Sequence, residues 1–497
     1  MTLNVEGLVV MAAFYLLILG TGIWASMRSR REEKKCQGDG MEITLLAGRN
    51  INLLVGVFTL TATWVGGGFI LGIAEATYNP TLGAVWALMP VPYVVTFFLG
   101  GTMAVILDLS YAYSIIISAV VAIVYTLLGG LYSVAYTDVI QLILIFVSLW
   151  VCVPFLLTNP HSLDISLTAY NQTFQAPWVG TVNLDEAGKW FDDFMLLALG
   201  GLAYQAFYQR ILAASSYTQA QITCFASSAF CLVLGIPSVL VGAVAASTDW
   251  NSTRYGLPTP YERGEVGSIL PISLQYLTPT YVSIIGIGAV AAAVMSSMDS
   301  ALLSSASLFS SNIYKNIIRK QASDREMQWV IRISVVVVGL AGAGLTFLDS
   351  SVLVFWLVGV DMSYTIMFPQ LVCVLFFKQS NGYGAAVGFL MGITMRILSG
   401  EPLVSLPPII HFPNCRPDAE GKLTQFFPFR TVIMLGSLVT IMVISWLMAK
   451  LFNTGLLPEK WDVYKVKDKQ NKPVEERTPE NNEELSVSKQ LLDTTSC

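Results

Sequence analysis

Thr61-Ala62-Thr63-Trp64-Val65-Gly66-Gly67-Gly68 is the stretch on which the reading of this chain turns. It lies inside the apolar run 51–74, which carries no charged residue and is long enough to cross a bilayer. Each glycine in a helix interior costs about 1 kcal/mol relative to alanine, so three in succession favour local unwinding. Unwound backbone at membrane depth survives only where it lines a cavity, and exposed carbonyls there suit Na⁺. The competing reading is close helix packing through small residues. A second run, Leu199-Gly-Gly-Leu-Ala-Tyr-Gln205, interrupts another apolar window at 192–212. Two interrupted spans in two halves of a chain point to a transporter site.

Working outward, the composition agrees. The chain has 497 residues, 54% hydrophobic and 12% charged, with a mean hydropathy of +0.62. A soluble protein needs more polar surface, so the expected class is an all-α membrane protein. Apolar windows mark about twelve spans, near 7–27, 51–74, 83–107, 114–133, 137–157, 192–212, 220–246, 272–305, 329–348, 351–377, 384–398 and 431–452. The first reads as a retained span, since no basic stretch precedes it and no small-residue cleavage site follows. Residues 1–452 form the expected transmembrane domain, and 453–497 the expected cytoplasmic, largely disordered tail. Seven scattered cysteines and two distant histidines, His161 and His411, offer no disulfide framework or zinc spacing. No basic stripe suggests nucleic acid, and no nucleophile–base pair or phosphate loop suggests an enzyme. No ring of charge suggests a channel.

Charge assigns the faces. Basic residues follow the first span (Arg28, Arg30, Arg31) and the eighth (Lys315, Arg319, Lys320), and recur in the tail; the positive-inside tendency puts these in the cytoplasm and the N-terminus outside. The basic-poor connections at 158–191 and 247–271 each hold a glycosylation sequon, at Asn171 and Asn251, and so belong outside. Seven spans separate the first two basic loops, an odd number that contradicts their common side. One crossing is therefore missing or re-entrant, and the place expected is 99–113, where Gly100-Gly101 runs almost directly into Ile106-Leu-Asp-Leu109.

Several residues are candidates for a site. Trp64 and Tyr204 sit mid-span beside glycines; Trp86 and Tyr93 fall on the third span and Phe207 on the sixth. A quaternary ammonium cannot donate hydrogen bonds, and aromatic faces attract it by about 0.5 to 2 kcal/mol each. Ser296 and Ser297 in Ala291-Ala-Ala-Val-Met-Ser-Ser-Met-Asp299 could complete an oxygen shell for a small cation, or bond their own i−4 carbonyls. Asp361 lies mid-span and is a candidate for gating or coupling, or else a helix-to-helix anchor. Glu75 and Asp138 fall at span ends and are expected to be interfacial.

The runs Thr61–Gly68, Gly129-Gly-Leu-Tyr-Ser-Val-Ala-Tyr-Thr-Asp138, Ala292-Ala-Val-Met-Ser-Ser297 and Thr248-Asp-Trp-Asn251 resemble the choline-transporting branch of the sodium/solute symporter family. The resemblance extends from Val5 to about Asp462. It implies two inverted five-helix repeats preceded by one helix, and choline import driven by Na⁺ and dependent on Cl⁻. By position it puts sodium on the carbonyls of Ala62, Val65 and Ala293 and the hydroxyls of Ser296 and Ser297. The choline cage falls on Trp64, Tyr93 and Tyr204, the last where the branch usually has Trp. The resemblance also implies a plasma-membrane protein of the presynaptic terminal and its recycling vesicles, supplying acetylcholine synthesis. Its implied partners are choline, the lipid bilayer and, as an open option, a second copy in a homo-oligomer. Relatives carry a further helix between the equivalents of Gly101 and Thr102, thirteen in all against twelve here, at the place where the parity count fails. A transport-incompetent isoform acting on a full-length partner, and a symporter for another organic solute, are the alternatives.

Overall fold

The computed structural model describes residues 16, 20–24, 27, 51–88, 90–92, 111–345, 352–401, 406–417 and 423–467, with side chains of the helix at 111–157 described from Val134 onward. Most of the expected first span, Tyr93 and most of the suspected deletion site at 99–113 fall outside these residues, as does the tail beyond 467. The chain divides into two compact units, Met1–Val360 and Asp361–Cys497.

In the first unit, α1 (Leu53–Trp64) begins where the Asn52 side chain accepts a hydrogen bond from Val55 N at 2.9 Å. It stops at Val65-Gly66, and α2 (Gly67–Tyr78) continues at an angle of 47°. α3 (Tyr111–Leu157) is followed by α4 (Ala187–Gly200), a 3₁₀ turn at Gly201–Ala203 and α5 (Gln205–Leu212). α6 (Tyr217–Ala246), capped by Ser216, packs on α1 and α2; Gly242 lets it approach, because a Cβ there would lie 2.8 Å from Ala74 O. α7 (Ile269–Leu277) and α8 (Thr280–Leu308) are separate helices, divided at Thr278-Pro279. α8 is the centre of the unit: it packs along α3 and against α1, α2 and α5, and is buried continuously from Gly288 to Ser297. α9 (Asp324–Leu345) and most of α10 (Val352–Met362) complete the unit.

In the second unit, α11 (Phe368–Phe376), α12 (Gly382–Leu398) and α13 (Phe429–Asn453) surround a π-helical turn at Ser363–Met367. Gly384, Gly388 and Gly392 line the face of α12 toward α13, where added Cβ atoms would meet Ile441 O at 2.3 Å, Ile441 Cγ1 at 2.3 Å and Ser437 Oγ at 2.9 Å. This small-residue stripe replaces hydrophobic driving force with close van der Waals contact, as lipid requires.

Among the described residues, six helices are long and apolar enough to cross a membrane, or seven when α1 and α2 are counted as one broken span. Several expectations need correction. The windows at 114–133 and 137–157 form one unbroken 47-residue helix, since nothing between them outweighs a continuous backbone ladder. The expected span 272–305 is split by Pro279, which cannot donate to a helix ladder. Trp86 sits in a 3₁₀ turn, Ala84–Trp86, rather than on a span. The all-α expectation gains a two-stranded antiparallel hairpin, Cys415–Pro417 with Leu423–Gln425. Of the tail expected from 453 to be largely disordered, the described part, 453–467, packs back on α12: Tyr383 Oη donates to Trp461 O (2.8 Å) and accepts from Val463 N (2.8 Å), while the Tyr464 ring covers Gly382.

Candidate functional site

The break in α1–α2 faces the middle of α8. Val65 N still donates to Thr61 O at 2.8 Å, and the ladder resumes with Ile70 N to Gly66 O at 3.1 Å. Between them, ψ of 61° at Val65 and −171° at Gly66 turn carbonyls out of the helix axis. Gly66 lies directly on α8: a Cβ there would be 1.6 Å from Ser297 Oγ and 3.4 Å from Ala293 O. Ala62, Val65, Ala293, Ser296 and Ser297 are all fully buried, and Ser297 Oγ has no hydrogen-bond partner among the described residues. An unpartnered hydroxyl in a dry interior leaves a desolvated polar group unsatisfied, and it lies beside carbonyls released from a helix.

Trp64, at the end of α1, is also fully buried and does not face lipid. Its ring meets Phe207 of α5 edge-on, with centroids 6.3 Å apart. The second interruption is where it was expected: Tyr204 is extended (φ −84°, ψ 122°) between the 3₁₀ turn and α5. The two broken spans therefore touch through aromatic rings. Tyr93 lies outside the described residues.

Beside this site runs a polar network that sequence reasoning missed. Asp138 of α3, expected at an interface, is fully buried. Its carboxylate accepts from Ser296 Oγ at 2.6 Å and from Thr59 Oγ1, and Arg210 Nη2 of α5 stands 3.8 Å away. Arg210 also donates to Ser300 Oγ at 2.6 Å, and Ser300 donates to Ser296 O at 3.0 Å. Thr63 Oγ1 is 3.2 Å from Ser300 Oγ. Asp138 looked interfacial because it falls at the end of the window 137–157; in a continuous helix the same residue is carried into the interior. A charge inside an apolar window was the signal. Glu75, likewise expected at an interface, is buried and accepts from Leu353 N at 3.2 Å.

In the second unit Asp361 is buried and bound by two arginines. Its Oδ2 accepts from Arg396 Nε (2.7 Å) and Arg430 Nε (2.9 Å), and Arg396 also bonds Gly400 O (2.7 Å) and Glu401. The Phe429 ring lies 5.8 and 5.0 Å from the two guanidinium carbons. The sequons are exposed, and their connections are joined: His161 Nδ1 is 3.0 Å from Ser252 Oγ and Ser162 Oγ is 2.7 Å from Thr248 Oγ1, so Asn171 and Asn251 share a face.

Comparison with known proteins places this geometry. The chain is similar to High affinity choline transporter 1 of Homo sapiens, 44% identical over 516 residues that cover 93% of this chain and 89% of the relative. It is 39% identical to the High-affinity choline transporter 1 of Drosophila melanogaster, covering 93% of this chain and 81% of the relative. Either aligned stretch, at 516 positions, is longer than the whole 497-residue chain, so these relatives carry internal residues with no counterpart here. The fold is similar to that of a Na⁺-coupled sialic acid symporter solved substrate-bound and outward-open, with a TM-score of 0.66 at 15% identity over 89% of this chain and 98% of that one. Residues 93–392 match the model of the Sodium:solute symporter family. With this match and the choline transporter relatives together, the chain belongs to the sodium:solute symporter family.

Proposed function

We propose that this chain imports choline across the plasma membrane, driven by Na⁺. The observation that carries the reading is the break at Val65-Gly66, pressed on Ser297 with Trp64 beside it. In this reading Na⁺ is held by the carbonyls of Ala62, Val65 and Ala293 and the hydroxyls of Ser296 and Ser297. Ser296 gives its proton to Asp138, which leaves its lone pairs for a cation. Ser297 has an unused hydroxyl at the same place. Trp64, Tyr204 and Tyr93 form the cage for the quaternary ammonium, which Phe207 supports from behind Trp64. Asp361 acts as an anchor that ties α12 and α13 to the start of the second unit, rather than as a gate.

The finer features belong to the same proposal. The fold is a pair of inverted five-helix repeats with one crossing absent near 100–114, twelve where relatives have thirteen; the internal residues found in relatives and missing here support it. Asn171 and Asn251 lie outside and carry glycans, the C-terminus is cytoplasmic, and Cl⁻ assists transport. The substrate and family likeness fit supply of choline for acetylcholine synthesis at a presynaptic membrane.

The absent internal segment also favours a second reading, a transport-incompetent form that associates with full-length copies. Na⁺-dependent uptake of radiolabelled choline by this 497-residue chain, beside a form with the segment restored from a relative, separates them. Uptake by both supports the importer; uptake by the restored form alone supports the second reading; uptake by neither rejects choline.

A further inference from the structure

The loop that follows α2, together with α4 and α10, encloses a second aromatic pocket, apart from the broken spans and on the face that carries the sequons. Its walls include Trp86, Trp356, Leu197 and Leu357, and its one buried carboxylate is Asp193. The cavity measures about 50 Å³. Lys189 lines it as well. Its Nζ stands 4.7 Å from the centre of the Trp86 ring and 3.1 Å from Asp193 Oδ2. An ammonium set over an indole and against a carboxylate is the environment that a small organic cation would seek.

The pocket is built rather than incidental. The Trp86 loop is pinned by Ala84 N to Trp178 O (2.7 Å), Val85 N to Val179 O (2.9 Å) and Trp86 Nε1 to Thr181 O (3.2 Å). Trp190 Nε1 donates to Val85 O at 2.9 Å from α4, one residue beyond Lys189. Gly83 and Gly180 both take positive φ, and their backbones cross so closely that a Cβ on Gly83 would lie 2.5 Å from Gly180 Cα. The ring is thus held rigidly, whereas the lysine is not: its side chain is 28% exposed, and a lysine stem at a surface swings its head into water readily. An i,i+4 ion pair of this kind holds it only weakly.

We infer that this pocket is a second binding site for a small hydroxylated quaternary ammonium, at the outer mouth, with the Lys189 ammonium as its tethered competitor. When Lys189 swings out, the ligand's trimethylammonium takes its place over Trp86. The ligand's hydroxyl then donates to Asp193 in place of the withdrawn N–H. The site holds none of the oxygens proposed for Na⁺, so its binding does not need that ion. The choice of cation rests on the proposed choline substrate, but occupancy here is independent of transport.

Equilibrium binding of radiolabelled choline to the full chain in lipid nanodiscs, in K⁺ medium without Na⁺, tests this. Removing the competitor with Lys189→Met raises the competent fraction and so tightens binding about tenfold; Lys189→Gln does the same, and Lys189→Arg, which keeps a cation, does not. Adding Trp86→Leu or Asp193→Asn to Lys189→Met reverses the gain. The gain persists in a Trp64→Ala background. Unchanged Na⁺-free binding in both Lys189→Met and Lys189→Gln, a gain that survives Trp86→Leu, or a gain abolished by Trp64→Ala would each overturn the site. If the Lys189 series behaves as stated while Na⁺-coupled uptake is absent, the outer site stands and the importer reading falls.

Discussion

Gly66→Ala is the sharpest probe of the broken span. Gly66 has φ −92° and ψ −171°, an extended backbone that alanine adopts without strain, so the substitution acts through contact alone. The new methyl would fall 1.6 Å from Ser297 Oγ and 2.7 Å from Ser297 Cβ. Rotating the serine relieves the first overlap but not the second, so the break and α8 must separate. Overpacking of this kind costs about 1–3 kcal/mol, which corresponds to roughly 5- to 150-fold in an equilibrium constant. If Ala62, Val65, Ala293, Ser296 and Ser297 hold Na⁺, the separation opens their shell, and the Na⁺ concentration for half-maximal choline uptake rises by about tenfold or more. The assay is uptake against Na⁺ concentration, with surface labelling to normalise for expression. Gly344→Ala, where an added Cβ meets nothing within 4 Å, is the control. An unchanged Na⁺ curve in Gly66→Ala at normal surface level would refute the assignment of the ion to this break.

Ser296→Ala with Ser297→Ala removes both hydroxyls and flattens the Na⁺ dependence of uptake; a normal dependence would remove them from the ion's shell. Asp138→Asn leaves the Arg210 guanidinium buried with no counter-charge and destabilises the protein by about 3–5 kcal/mol, read as a lower melting temperature in detergent; adding Arg210→Gln recovers a large part. Asp361→Asn removes the carboxylate that Arg396 and Arg430 share, while Arg396 keeps Glu401 and Gly400 O, and lowers thermal stability by about 1–3 kcal/mol, more than Arg430→Met, since Arg430 is the more exposed partner. Tyr383→Phe removes a hydroxyl that both donates to Trp461 O and accepts from Val463 N, so protease cleavage within 458–467 accelerates; unchanged cleavage would mean that ring packing alone holds the segment.

Both helix interruptions were legible in the chain itself, because consecutive glycines in an apolar window conflict with a helix whatever surrounds them. Trp64 and Tyr204 could be placed at those breaks for the same local reason, as could the six long apolar helices, whose length and lack of charge admit no other environment. The sequons and basic loops needed no contacts either, since a charge bias is a property of composition. What the chain alone could not settle is who meets whom. Asp138 and Arg210 lie 72 positions apart and were separately unremarkable; only the packing of α3, α5 and α8 makes them one buried network. Asp361 reads as a gate or an anchor in the sequence, and that Arg396 and Arg430 from later helices both bind it is visible only in the tertiary structure. The windows at 114–133 and 137–157 look separate in the sequence, yet α3 runs through both, because a helix continues through a polar patch when its neighbours bury that patch. Local backbone preference is written residue by residue, while the pairing of distant polar groups is decided by which helix faces share an interior.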